Sequence, residues 1–323
     1  MSGLGLGLGL GLGAHRIVDR YGNMPATFSI PANYANTGTK RINFSEPVTV
    51  TMTGDVTLSI GGTDYYSGDT IPPAGSYHLL IINNPGVDAG TITFGKRKQI
   101  TYLSLYNLGS SIITGDITGM KLTYLYLKNL GSSVITGDIT GMKLTYLYLS
   151  SLGSSSVITG DITGMKLTLT YLYLDNLGSS VITGDITGMK LTVLFLRNIG
   201  SSVITGDITG MKLTMLYLNN IGSSLTYGTN QLNITSNNGI QLLGDTVFSA
   251  NEYIQLFADA ATCVTEEKWT ASTKVMTISG GDNPGWSNVS EYYGTIVGGG
   301  VTVKVPLAWE SGEDPFPPET PNP

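Results

Sequence analysis

A unit of about 22 residues is written five times, almost without change, between positions 101 and 212. Its cleanest copy is 122–143, LTYLYLKNLGSSVITGDITGMK, and the other copies end in TGDITGMK at Lys121, Lys166, Lys190 and Lys212. A short fixed period specifies a solenoid. One unit has too little apolar face to bury alone, so neighbours must stack and share a continuous core. A stacked array presents a long surface and no enclosed pocket, which favours binding over catalysis.

The array extends beyond its best copies. YHLLIINNPG (77–86) aligns with ITYLSLYNLG (100–109), and GTITFGK (90–96) aligns with GDITGMK (115–121). It closes with LTMLYLNNIGSSLTYG (213–228) and a degenerate coil around QLNITSNN (231–238). This predicts about seven or eight coils over 77–244, or about 30–35 Å at the ~4.8 Å spacing of strands. Spacing between the repeated aspartates changes through an extra Ser in GSSSV (153–157) and an extra pair in KLTLTYLYL (166–174), both expected to loop out.

The flanks are unlike the array. In residues 2–13, SGLGLGLGLGLG, a strand would set Leu4, Leu6, Leu8, Leu10 and Leu12 on one face and bare glycine on the other. Such a stripe is costly if exposed, so an anchor (1–13) buried in a partner, or in another copy of the chain, is expected, the alternative being a flexible glycine-rich tail. A homo-oligomer follows from burial in another copy. Residues 14–45 read as an irregular connector with Pro25 and Pro31. In 47–62, PVTVTMTGDVTLSIGG alternates around Gly54-Asp55 and reads as a hairpin within a small β cap, 46–76. In the C-terminal cap, 245–308, Ser249 and Glu252 form a capping box ahead of a helix at 250–262. KVMTIS (274–279) is a strand, NVSEYYGTIV a second helix, and GGGVTVKV holds a last strand. The Pro-rich tail, 309–323, is expected to be extended and unpacked.

LTYLYLKNL (122–130) has the L-x-x-L-x-L spacing of a leucine-rich repeat, and VITGDIT (134–140) resembles the L-x-G-x-I-P segment of its plant-type variant. Two departures matter. The ladder asparagine (Asn107, Asn129, Asn176, Asn198, Asn220) sits one place early, with Ser151 replacing it once, and the helical half of the repeat is absent. The resemblance implies a mainly β fold: a leucine-rich-repeat-like β-solenoid with a small N-terminal β cap and a short α/β C-terminal cap. The wider pattern is similar to repeat proteins encoded by phages of Bacteroidota, with a Gly-Leu N-terminus, ITGDITGMKLTYLYL coils and a helix–strand ending carrying ISGGDNPG and GVTV. That likeness implies a virion component: a tail-fibre, head-fibre or receptor-binding protein, assembled in host cytoplasm and held through 2–13 to other virion proteins or to itself.

Residues alternate in and out along each predicted strand. Leu103, Leu125, Leu147, Leu172, Leu194 and Leu216 form one inward column, joined by Leu80, and Leu105 to Leu218 with Ile82 form the other. The outward columns are aromatic. One holds Leu79, Tyr102, Tyr124, Tyr146, Tyr171, Val193 and Met215; the next holds Ile81, Ser104, Tyr126, Tyr148, Tyr173, Phe195 and Tyr217. A third is polar: Asn83, Tyr106, Lys128, Ser150, Asp175, Arg197, Asn219. Cross-strand packing explains stacked tyrosines without any partner. The functional alternative is a contact surface for a host glycan or protein, since tyrosine joins a large area to a polar tip.

Aspartates 116, 138, 161, 185 and 207 recur as a row. Directly stacked carboxylates repel, so turn hydrogen bonds or the lysines five residues later are expected to compensate. A row of calcium sites is the alternative, but one carboxylate per coil is thin for a cation that takes 6–8 oxygens.

Other chemistry finds little support. The net charge of −6 excludes a basic nucleic-acid footprint. Cys263, His15 and His78 offer no disulfide, metal cluster or nucleophile motif, and no cofactor fingerprint occurs. Glu266-Glu267 and Glu313-Asp314 read as solvated pairs. No apolar stretch reaches the roughly 20 residues of a transmembrane helix, and no ordinary secretory signal precedes the repeats. The expectation is therefore a non-enzymatic chain. The alternatives are a bacterial surface or secreted leucine-rich-repeat adhesin and a polysaccharide-degrading enzyme on a β-solenoid.

Overall fold

The computed structural model describes residues 21–316, apart from 111, 223, 224, 238, 246, 247, 312 and 313. Leu4, Leu6, Leu8, Leu10 and Leu12 of the expected anchor lie outside the described residues, as do His15 and 317–323. The fold is a β-solenoid whose chain passes alternately between a 13-stranded and a 10-stranded sheet.

The N-terminal quarter is an antiparallel cap built from β1 (Pro25–Ile30), β2 (Thr39–Phe44), β3 (Val48–Thr53), β4 (Thr57–Ile60), β5 (Thr63–Tyr65), β6 (Thr70–Ile71), β7 (His78–Asn83) and β8 (Gly90–Lys96). This corrects three expectations. The supposed connector supplies two strands. In β1, Ala26, Phe28 and Ile30 point inward from a strand that begins on Pro25, the one strand position where proline loses nothing. In β2 the inward set is Lys40, Ile42 and Phe44, and the lysine hid the alternation. Lys40 is 2% exposed and donates to Tyr34 Oη at 2.9 Å and to the Thr37 carbonyl at 2.6 Å. The expected hairpin at 47–62 does not pair with itself. Gly54, at φ +67°, turns the chain from one sheet to the other, so β3 joins β6 and β8 while β4 joins β5 and β7.

The third correction concerns 77–96, which is not a stacked coil. Strand β2 lies antiparallel between β7 and the first repeat strand, and β1 lies likewise between β8 and its second. Leu80 and Ile82 are buried, but in the cap.

Parallel stacking begins at Ile100 and runs for six coils, not seven or eight. One sheet takes β9 (Ile100–Tyr106), β11 (Tyr124–Lys128), β13 (Tyr146–Ser150), β15 (Tyr171–Asp175), β17 (Val193–Arg197) and β19 (Met215–Asn219). The other takes β10 (Thr114–Asp116), β12 (Val134–Asp138), β14 (Val157–Asp161), β16 (Val181–Asp185), β18 (Val203–Asp207) and β20 (Leu225–Thr226). Both inward leucine columns are buried along these coils, opposite the Ile135–Ile158–Ile182–Ile204 column.

Ladders of polar residues lock the coils together. The displaced asparagine has a backbone reason: Asn107, Asn129, Ser151, Asn176, Asn198 and Asn220 all sit at φ near +50°, the left-handed region that asparagine tolerates best among residues with a side chain. Their amides join coil to coil, with Asn129 Nδ2 donating to Asn107 Oδ1 and Asn198 Nδ2 to Asn176 Oδ1, both at 3.0 Å. At the break left by Ser151, Asn176 donates to Asp175 instead. A second ladder is fully buried. Ser156 Oγ accepts from the Ile135 amide, and the Ser180 and Ser202 hydroxyls repeat the pattern one coil on. Threonines 123, 145, 170, 192 and 214 donate to the threonine carbonyl of the preceding coil.

The insertions loop out as expected. Leu167 is 95% exposed, while Leu169 and Thr170 resume the leucine and threonine columns.

Beyond β19 the same sheet continues through β21 (Ile240–Leu243), β22 (Val275–Ile278) and β23 (Thr302–Lys304), all parallel. Helices α1 (Ala250–Thr265) and α2 (Trp286–Gly298) connect them as crossovers. The Ser249–Glu252 capping box forms, and Glu252 also accepts from the Tyr227 amide at 2.8 Å. A short helix, α3 (Leu307–Glu310), follows. The tail is not wholly unpacked: Phe316 is 1% exposed, against Trp286, Tyr293, Trp309 and Phe257.

Helix α1 is tied to the last coil by buried Asp259. Its Oδ2 accepts from Tyr227 Oη at 2.9 Å and the Asn230 amide at 2.7 Å, and its Oδ1 accepts from Gln255 Nε2 at 2.8 Å. Burial pushes this carboxyl above its ordinary range, although the hydrogen bonds pull it down. A carboxyl raised by folding favours the protonated state. Stability is therefore fullest below the unfolded value of 3.8 and falls as pH rises through the folded one. Asp259→Asn keeps the shape and removes the charge. In thermal melts from about pH 4 to pH 7 the variant should lose less stability than the parent; parallel curves would show that Asp259 does not set the slope.

Candidate functional site: the tyrosine face

The outward side of the longer sheet is set by register. Strands β9 to β19 pair without offset, so Tyr102, Tyr124, Tyr146 and Tyr171 fall in one line and Tyr126, Tyr148, Tyr173, Phe195 and Tyr217 in the next. The lines are two residues apart, about 6.7 Å at strand rise.

Both lines are continuous ring stacks. Centroids are 4.2 Å apart for Tyr102–Tyr124, 4.3 Å for Tyr124–Tyr146 and 4.1 Å for Tyr146–Tyr171, with interplanar angles of 6°, 10° and 16°. The second line repeats this at 4.3, 4.1, 4.0 and 4.2 Å from Tyr126 to Tyr217. The rings therefore lie face to face along the solenoid axis, and their edges and hydroxyls point outward. A sugar cannot stack on faces already covered by neighbouring rings, so any partner meets edges and a row of hydroxyls.

Partial burial goes with the stacking. Tyr148 is 9% exposed and Phe195 3%. Burial, with the neighbouring tyrosines adding to it, pushes the Tyr126 phenol up to about 12. The same causes hold Tyr124, Tyr146 and Tyr173 above the usual phenol range, and burial does so for Tyr171. These hydroxyls stay protonated at neutral pH. They can donate and accept hydrogen bonds but do not act as bases.

The third line carries charge. Asp175 is 3% exposed and held in a fork by Arg197, Nε to Oδ1 at 2.7 Å and Nη2 to Oδ2 at 2.8 Å, with Ser150 Oγ donating to it at 3.2 Å.

The face is longer than the repeats suggest. Tyr77 extends the first line, 5.4 Å from Tyr102. Arg41 of β2 lies opposite Ser104, in register with the second line and two strands ahead of Tyr126. Its guanidinium sits 4.6 Å from the centre of Tyr77 and 5.6 Å from that of Tyr106. Sequence reading missed Arg41 because its strand was taken for a connector.

The aspartate row does turn chemistry. Each Oδ1 accepts from the amide of the threonine two residues on, as in Asp138 with Thr140 at 2.8 Å. Each aspartate amide from 138 onward donates to a threonine hydroxyl one coil back. This sheet is offset by two residues per coil, so Asp138 pairs with Thr159 and the carboxylates do not stack. The lysines contribute less than expected. Among the described residues, Lys166–Asp185 at 3.3 Å is the one such pair from the row, and Arg97 binds Asp116 at 2.6 Å. For Asp116 burial acts upward, but the Arg97 and Thr118 hydrogen bonds outweigh it and hold the carboxyl below the usual range. No three His, Cys, Asp or Glu side chains converge among the described residues as a metal would require.

The remaining candidates are structural. His78 Nε2 bonds the Pro72 carbonyl at 2.6 Å, Cys263 is buried with its thiol pushed up by burial, and Glu266 pairs with Lys268. Asp314 accepts from the amide and hydroxyl of Ser287 in the first turn of α2. No described helix is long and apolar enough to cross a membrane. No protein-family model matches the chain, and neither a curated protein nor a solved structure matches it.

Proposed function

We propose that this chain is a non-enzymatic structural protein of a phage particle, a fibre, decoration or receptor-binding component of leucine-rich-repeat type. In this reading residues 2–13 anchor it to another virion protein or to a second copy, and the tyrosine face contacts a partner or host surface. The observation that carries the reading is the face itself. Two unbroken aromatic lines run across successive coils with their hydroxyl edges outward. Phe195 stacks within the second line without a hydroxyl, so ring stacking alone does not call for one.

The anchor is tested by light scattering on the full chain and on a 14–323 truncation, each with a circular-dichroism spectrum. A defined oligomer that falls to a monomer, with the β signal unchanged, supports self-anchoring. A monomer in both cases moves the anchor to a different virion protein, to be sought by mass spectrometry of purified particles. Loss of the β signal on truncation would defeat the anchor reading, because the segment would then be part of the fold.

A further inference from the structure

We propose that Arg41 is the carboxylate-binding residue of a site for an acidic polysaccharide laid along the tyrosine face. The proposal rests on the reading of that face as the contact surface, but not on the chain's place in a particle.

The charge distribution is the first observation. The protein as a whole is acidic, at −6. Yet on the outward positions from β2 to β19 the cations Arg41, Lys128 and Arg197 face one carboxylate, Asp175, which Arg197 already holds. Arg41 and Lys128 have no carboxylate partner among the described residues. Arg41 Nε is buried without a hydrogen-bond partner and the guanidinium rests against two tyrosine rings, so a carboxylate would meet its Nη1–Nη2 end. Aromatic walls hold the planar fork in one orientation, which suits a bidentate carboxylate.

The second observation is periodicity. The hydroxyl edge repeats once per coil, at about 4.8 Å, for as long as the tyrosines last. A second copy of this solenoid would present the same group at that interval, but it would bring its own Arg41 to the face and no free carboxylate. A chain of identical hydroxylated rings that carry carboxylates supplies both. A carboxylate seated on Arg41 would place such a chain at the head of the second aromatic line, with Lys128 two strands further on and one line across.

The test is calorimetric titration of the full chain with oligogalacturonate, with a neutral cello-oligosaccharide and poly-glutamate as comparison ligands. The parent should bind oligogalacturonate, more weakly as salt is raised, and should prefer it to both comparison ligands. Arg41→Gln should weaken binding at least tenfold with the melting temperature held, and Lys128→Gln should weaken it less. Arg41→Lys, which keeps the charge but loses the fork, should also bind more weakly, and it serves as the readout if Arg41→Gln does not fold. Equal affinity in Arg41→Gln or Arg41→Lys, or no binding by the parent, overturns the proposal. Poly-glutamate binding as tight as oligogalacturonate would show that charge alone is read, and would overturn the glycan assignment. Tyr146→Phe separates the two readings. If it weakens ligand binding while the Arg41 variants do not, the face is a contact surface and Arg41 is not its anion site.

Discussion

Gly160→Val is expected to destabilise the solenoid by about 4 kcal/mol and to split its unfolding into two steps. Gly160 lies at φ +149°, where a side chain is strained, and a Cβ there would stand 2.6 Å from Ile139 Cγ1 and 2.9 Å from the Thr140 amide of the preceding coil. Gly137, Gly184 and Gly206 meet the preceding coil in the same way. Strain of roughly 1–3 kcal/mol at such a φ adds to roughly 1–3 kcal/mol of overpacking. Against a typical stability of about 5–15 kcal/mol the loss is large. In a stack with nearest-neighbour coupling it falls on one interface, between the second and third coils. Trp269, Trp286 and Trp309 all lie beyond the last coil. Urea unfolding followed by tryptophan fluorescence should therefore separate from the same transition followed by circular dichroism. Leu167→Ala is the control in the neighbouring turn, since that side chain is 95% exposed and should change stability by less than about 0.5 kcal/mol. An unchanged midpoint in Gly160→Val would mean that the coils can separate to admit a side chain.

The same glycine shows how far the sequence could be read. Repetition made the solenoid, its two inward columns and its aromatic lines legible, because an error in one coil would contradict the others. The glycine of TGD was visible as a constant, but its reason was not. It depends on the two-residue offset between coils, which the period of one chain does not encode. The caps were less legible because they occur once. Lys40 at an inward position broke the alternation of β2, and its compensation by Tyr34 and Thr37 is a tertiary fact. The antiparallel insertion of β1 and β2 ahead of the first coil followed from no local signal, and it hid Arg41 at the head of the aromatic face. The capping box at Ser249 was readable because helix initiation is a contact within four residues.

Tyr148 separates packing from recognition. It is 9% exposed, with rings 4.3 Å away on one side and 4.1 Å on the other. Tyr148→Ala removes both stacking contacts and opens a gap that the neighbouring coils, fixed by their asparagine, serine and threonine ladders, cannot close. A cost of about 2–4 kcal/mol is expected, just below that of a fully buried aromatic because a little of the side chain stays exposed. Loss of partner binding in this variant would therefore be ambiguous, since the face itself is damaged. Tyr148→Phe keeps both stacks, and its stability should stay within about 1 kcal/mol of the parent. If the hydroxyl row is what a partner meets, the phenylalanine variant should bind more weakly while melting at nearly the same temperature. If both variants bind as the parent does, the aromatic lines serve the sheet alone. The phenylalanine at position 195, already present in the second line at a 4.0 Å stacking distance, shows that the stack itself tolerates the missing hydroxyl.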